Sequence, residues 1–141
     1  METANFAQQE ARMVTATRLG EPYCVQVSNG HDLVLSDTRK EGKGGHAGMR
    51  PHELLESALA ACICMSIDMA VERAGVALPA VTVQVIIDRQ DRQTAFDVSL
   101  YFATVPSSEQ EALVSEAVRT SPVACTLGKP ITIRSAEIIT T

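Results

Sequence analysis

Four cysteines carry most of the chemistry this chain can do. Two of them sit close together in Pro51-His52-Glu53-Leu54-Leu55-Glu56-Ser57-Ala58-Leu59-Ala60-Ala61-Cys62-Ile63-Cys64-Met65. A core helix ordinarily fills its middle with leucine. Alanine and cysteine in that place point instead to close helix–helix approach around a thiol. Such a thiol is either a small core side chain or a nucleophile, which reacts only as the thiolate. Cys64 lies about 200° around the helix from Cys62, so the two cannot bond to each other. Cys64 reads as core, and so does Cys24, which alternates within a strand. Met65 and Met69 follow Cys62 on the same flank and suit either a core or an apolar pocket. The cysteines form no C-x-x-C pair and have no H-x-x-x-H partner. His46 and His52 leave a mixed Cys/His metal site open only in principle, so neither a metal nor a tightly bound cofactor is expected.

The elements that must hold Cys62 follow from pattern. Residues 1–9 are polar and aperiodic, a flexible tail or an arm on a partner subunit. Residues 10–19 and 23–27 read as strands, and Asn29-Gly30 is a hairpin turn into a third strand at 33–35. Residues 36–50 are rich in glycine and charge and read as a flexible, solvated connection without a phosphate-loop pattern. Pro51 suits a first helical position, and the helix runs to near Gly75. Its middle, residues 58–67, has no charge on any side, so it should be buried all round. A chain this small needs a second subunit to cover it. Residues 81–88 and 96–104 alternate as a hairpin. Ser108 and Glu111 have capping-box spacing before a second helix, Ser121-Pro122 breaks it, and a short helical piece runs through Leu127. Residues 131–139 should close the fold as a strand. The order is βββ-α-ββ-αα-β, an α+β class, in one domain over residues 1–141.

Composition excludes some functions. A net charge of −5 argues against a nucleic-acid surface, which usually shows a basic stripe. The cations at Arg39, Lys40, Lys43 and Arg50 are interleaved with Asp37 and Glu41. The uncharged run at 57–67 is shorter than the ~20 residues of a bilayer span. No signal peptide is visible. The expected place is the cytoplasm, where cysteines are mostly thiols.

Three features of the sequence resemble the OsmC/Ohr family of thiol-dependent hydroperoxide reductases. They are Gly44-Gly45 followed by Pro51-x-Glu53-Leu54-Leu55 and Ala58-Leu59-Ala60-Ala61-Cys62; the element order; and Ser121-Pro122-Val123-Ala124-Cys125-Thr126-Leu127. The resemblance implies an intertwined homodimer with two long helices at its centre and an active site at each subunit boundary. It makes Cys62 the peroxidatic cysteine, whose sulfenic acid a second cysteine captures before an external dithiol of lipoyl type reduces it. The family's resolving cysteine falls at Ser121 here, with Cys125 one helical turn later as the possible replacement. Arg18, in Arg18-Leu19-Gly20, is the nearest match to the activating arginine. His52 replaces a glutamate of the Ohr branch, and Glu53 matches a second acidic position. On a regular helix Glu53 points about 180° from Cys62, and His52 lies roughly 15 Å away along the axis. Either serves the thiol only from a partner subunit; otherwise both cap the helix start. Two functions remain open: a peroxidase acting on small organic hydroperoxides, or a slow or inactive relative holding an apolar ligand in the interface cleft.

Overall fold

The computed structural model describes residues 13–141. The expected N-terminal tail at 1–9 and the first residues of the expected first strand lie outside them. The described residues form two compact units, divided between Leu55 and Glu56.

In the first unit, β1 (Thr15–Arg18), β2 (Val25–Ser28) and β3 (Leu33–Ser36) make an antiparallel sheet in sequence order. The Asn29 carboxamide oxygen accepts from the His31 and Asp32 N–H groups, 2.9 and 2.7 Å away. Asparagine is favoured at turns for this ability to satisfy nearby backbone. The stretch expected to be a flexible connection is built otherwise. It contains a two-stranded ribbon, β4 (Arg39–Lys40) with β5 (Lys43–Gly44). It is tied back where the Ser36 hydroxyl donates to the Met49 carbonyl at 2.7 Å. Asp37, buried to 5% exposure, gathers the N–H groups of Thr38, Gly45 and Ala47 at 2.8–3.2 Å. The Ala47 N–H, helped by those of Gly45 and Thr38 and by nearby His46, holds the Asp37 carboxyl below its ordinary range against the opposing effect of burial. Glycine is required here by contact. A Cβ on Gly48 would stand 1.8 Å from the Leu35 carbonyl oxygen, and one on Gly44 (φ +88°) 1.8 Å from that of Thr38.

Helix α1 (Pro51–Ala74) begins in the first unit and carries the chain into the second. Its start is closed by Glu53, whose Oε1 accepts from the Arg50 N–H at 3.1 Å. Such a reach back across the first turn satisfies a donor the helix leaves free. In the second unit β6 (Thr82–Arg89) and β7 (Thr94–Tyr101) form an antiparallel hairpin. The pairs Val83–Leu100, Val85–Val98 and Ile87–Phe96 show the predicted alternation. Members of that face pack on Leu59, Ile63 and Ile67 of α1 and on Val114 and Ala117 of α2 (Ser108–Thr120). Leu59, Ile63 and Ile67 recur every fourth residue, the spacing that keeps side chains on one helix face. The α2 capping box sits one residue earlier than the spacing predicts, with Ser107 as N-cap and Gln110 reaching back. Ser107 takes that position because its backbone is still extended there, as an N-cap requires. Helix α3 (Pro122–Leu127) follows at once, with Ser121 as its N-cap.

Within its own chain α1 is covered on one face only: Met65 is exposed in its middle, as are Leu55 and Met69 to either side and Ala58 and Ala61. By length and composition α1 could cross a membrane. Its other face is instead the core of the second unit, and Asp68, Glu72 and Arg73 charge its last turns. Residues 131–139 form no strand. A strand needs a neighbour for its ladder, and these residues have none among the described ones. Ile133 and Ile138 stay 93% and 94% exposed.

Candidate active site around Cys62

Cys62 lies on α1 beside Ile63, the fully buried centre of the core, and is itself half-buried. Its position on the flank of the packed face, rather than on the face, leaves the sulfur at a helix junction. There the Val123 N–H donates to Cys62 Sγ at 3.4 Å.

That donor exists because of how α3 begins. The first N–H groups of a helix have no partner within it. At α3 Pro122 brings none, the Ala124 N–H goes to Ser121 Oγ at 3.3 Å, and the Cys125 N–H goes to the Ser121 carbonyl. Val123 alone has a donor left over, and it is spent on sulfur. Ser121, 0% exposed, is the N-cap that closes this end of the helix.

One turn beyond Cys62 the flank of α1 opens onto a groove of about 630 Å³. Ser66, Met69 and Ala70 line one side, and Leu113, Ala117 and Pro122 belong to the other helices. The Ser66 hydroxyl is buried without a hydrogen-bond partner among the described residues. Ser66, one helical turn past Cys62, and Pro122, next in the chain to Val123, line the groove, while Cys62 and Val123 themselves do not. The groove is mostly apolar, with Arg73 and Glu116 as its charged members; Glu116 is paired with Arg119.

The other predicted site residues are placed as follows. Cys125 is exposed, and its thiol donates to the Arg119 carbonyl at 3.8 Å, at the end of α2. Cys64 is half-buried on another side of α1, beside Asp68 and Leu78. Arg18 closes β1 in the first unit and is exposed. His52 and Glu53 stand in the first turn of α1, where Glu53 has the capping role already described. Sequence reasoning missed Val123 and Glu56. The Glu56 carboxylate accepts from the Ile87 N–H of β6 at 2.8 Å, fixing α1 against the hairpin. Among the described residues no three His, Cys, Asp or Glu side chains gather as a metal site.

The fold and this junction define an α+β protein organised about one long helix, with a thiol set against the start of a short one. The chain belongs to the OsmC-like protein family, whose model matches residues 42–136. Among solved structures it is similar to an OsmC-like protein from Mycoplasma pneumoniae, with 14% identity, a TM-score of 0.64, and coverage of 82% of this chain and 86% of that one. It is also similar to an organic hydroperoxide resistance protein, OsmC, from Legionella pneumophila (19%, TM-score 0.59, 82% and 89%). A third is the organic hydroperoxide resistance protein OhrB of Bacillus subtilis (15%, TM-score 0.56, 82% and 90%). At these identities the likeness is one of fold. No curated protein matches the chain by sequence.

Proposed function

We propose that this protein is a thiol-dependent peroxidase that reduces small organic hydroperoxides through Cys62, in the cytoplasm and in oxidative-stress defence. The observation that carries the reading is the Cys62 sulfur, half-buried and met by the Val123 N–H beside an apolar groove. Family membership and relatives named for organic hydroperoxide resistance support it. The thiolate attacks the outer peroxide oxygen, the O–O bond breaks, the alcohol leaves with a proton, and the sulfur becomes a sulfenic acid. The groove takes the organic part of the substrate. Arg18 supplies positive charge, and His52 and Glu53 act from a second copy. Resolution falls to Cys125 or directly to an external dithiol of lipoyl type.

The homodimer reading rests on two uncovered apolar surfaces, the α1 stripe with Leu55, Met65 and Met69, and residues 131–139 with their isoleucines. Large exposed apolar side chains mark an interaction site where they gather in a patch, and closed two-fold pairing is the commonest way to cover one.

A second reading has two observations in its favour: Ser121, not a cysteine, occupies the position of the family's resolving thiol, and His52 stands where the Ohr branch has a glutamate. In that reading the protein is a slow or inactive relative that holds an apolar ligand in the interface cleft. Consumption of cumene hydroperoxide with a dithiol separates the two. We expect turnover in the wild type, its loss in Cys62→Ser, and most of it kept in Cys64→Ser and Cys24→Ser. A wild type no faster than Cys62→Ser leaves the ligand-binding reading.

A further inference from the structure

We infer that oxidised Cys62 closes onto the backbone nitrogen of Val123, giving a reversible sulfenamide that protects the sulfur in place of a disulfide. The inference rests on the peroxidase reading above, because that reaction supplies the sulfenic acid.

The geometry points to Val123 by what surrounds the sulfur. Its nitrogen is 3.4 Å from Cys62 Sγ, already in contact and aimed at it. The thiol that would ordinarily intervene is absent, since position 121 carries a buried hydroxyl committed to the Ala124 N–H. Cys125 is turned the other way, onto the Arg119 carbonyl. A sulfenic acid condenses with a thiol to a disulfide or with a backbone nitrogen to a sulfenamide. At this junction the nitrogen is the group in reach.

The step balances without a further oxidant. The S–O bond of the sulfenic acid breaks and an S–N bond forms. The hydroxyl leaves with the amide proton as water, and sulfur keeps its oxidation level. An incoming thiol then attacks the sulfur, the nitrogen regains its proton, and a second thiol completes the reduction as a disulfide of the reductant. Closure costs α3 no internal hydrogen bond, because the Val123 N–H is one that the helix leaves free. A sulfenic acid left open under excess peroxide goes on to sulfinic acid, which simple thiols do not reverse. Closure removes that hazard while keeping the oxidised protein recoverable.

The test begins with the full-length protein and one equivalent of cumene hydroperoxide, read by intact mass and then by peptide mapping. The expected product is lighter than the reduced protein by two hydrogen atoms, restored by dithiol. Its map joins the Cys62 peptide to the peptide containing Val123 through nitrogen. The same product should form in Cys24→Ser/Cys64→Ser/Cys125→Ser, where no intramolecular disulfide can. Val123→Ala, which keeps the N–H, should retain it; Val123→Pro, which removes the N–H, should gain oxygen at Cys62 instead. A Cys62–Cys125 linkage in the map, a disulfide between copies, or added oxygen in the single-cysteine protein overturns this inference alone. An unchanged mass at Cys62 overturns the peroxidase reading and this inference together.

Discussion

Residues 36–50 and residues 128–141 have opposite characters in sequence and opposite fates in structure. The first segment is glycine-rich and charged, yet it is tied at both ends, by Ser36 on Met49 and by Asp37 on three backbone N–H groups. The second is rich in isoleucine and alternates like a strand, yet it stands without a ladder and with its side chains in water. Order here follows the destination of the hydrogen bonds rather than hydrophobicity. A backbone group removed from water must be paired, and Asp37 provides the pairing locally. The isoleucine segment pairs with no strand edge among the described residues.

The sharpest break of the comparison lies at Gly48. Gly48→Ala drives a methyl into the Leu35 carbonyl, and overpacking of this kind costs about 3 kcal/mol. The urea midpoint of the first unit should fall accordingly. A variant as stable as wild type would mean the segment is as loose as its composition implies.

Removing residues 130–141 tests the other side. The α1–α3 helical signal in circular dichroism should persist, because these residues add nothing to the core. Sedimentation at micromolar concentration should change from dimer to monomer. A full-length protein that is already a stable monomer removes the need for a covering copy.

A smaller effect is expected at Asp37. Its carboxyl is held below the ordinary range in the folded protein, so its contribution is present above the unfolded value, about 3.9. That contribution is lost as pH falls through the lower folded value. Asp37→Asn should therefore be less stable than wild type at neutral pH and approach it in acid. Parallel stability curves from neutral pH down to pH 2 would show that the three N–H contacts do not depend on the charge.

Much of the fold was legible because periodicity is a local signal. The face Val83, Val85, Val98 and Leu100 announced the hairpin, and Pro51 and Gly75 marked the ends of α1. The capping box was misplaced by one residue because Ser107 and Ser108 are equally good caps by type. The Asp37 clasp was not legible: its partners are backbone groups up to ten residues away, and a backbone donor has no residue type. The closing strand was misread because alternation reports a capacity to pair and not the presence of a partner. At the candidate site the alanine surroundings drew attention to Cys62, and the resemblance of Ala58-Leu59-Ala60-Ala61-Cys62 to the family pattern singled it out. Val123 was missed, although the Ser121-Pro122 pair held the clue. A proline without N–H and a serine that takes the next donor leave one N–H at the start of α3 unclaimed.

Glu56 gives the β6–β7 ribbon a polarity. A two-stranded ribbon has two open edges, each a template for another strand. By seating its carboxylate on the Ile87 N–H, Glu56 stoppers the β6 edge with a charge that an incoming backbone must displace. The β7 edge has no such stopper among the described residues. Among the described residues the ribbon is therefore guarded by a carboxylate on one edge and left bare on the other.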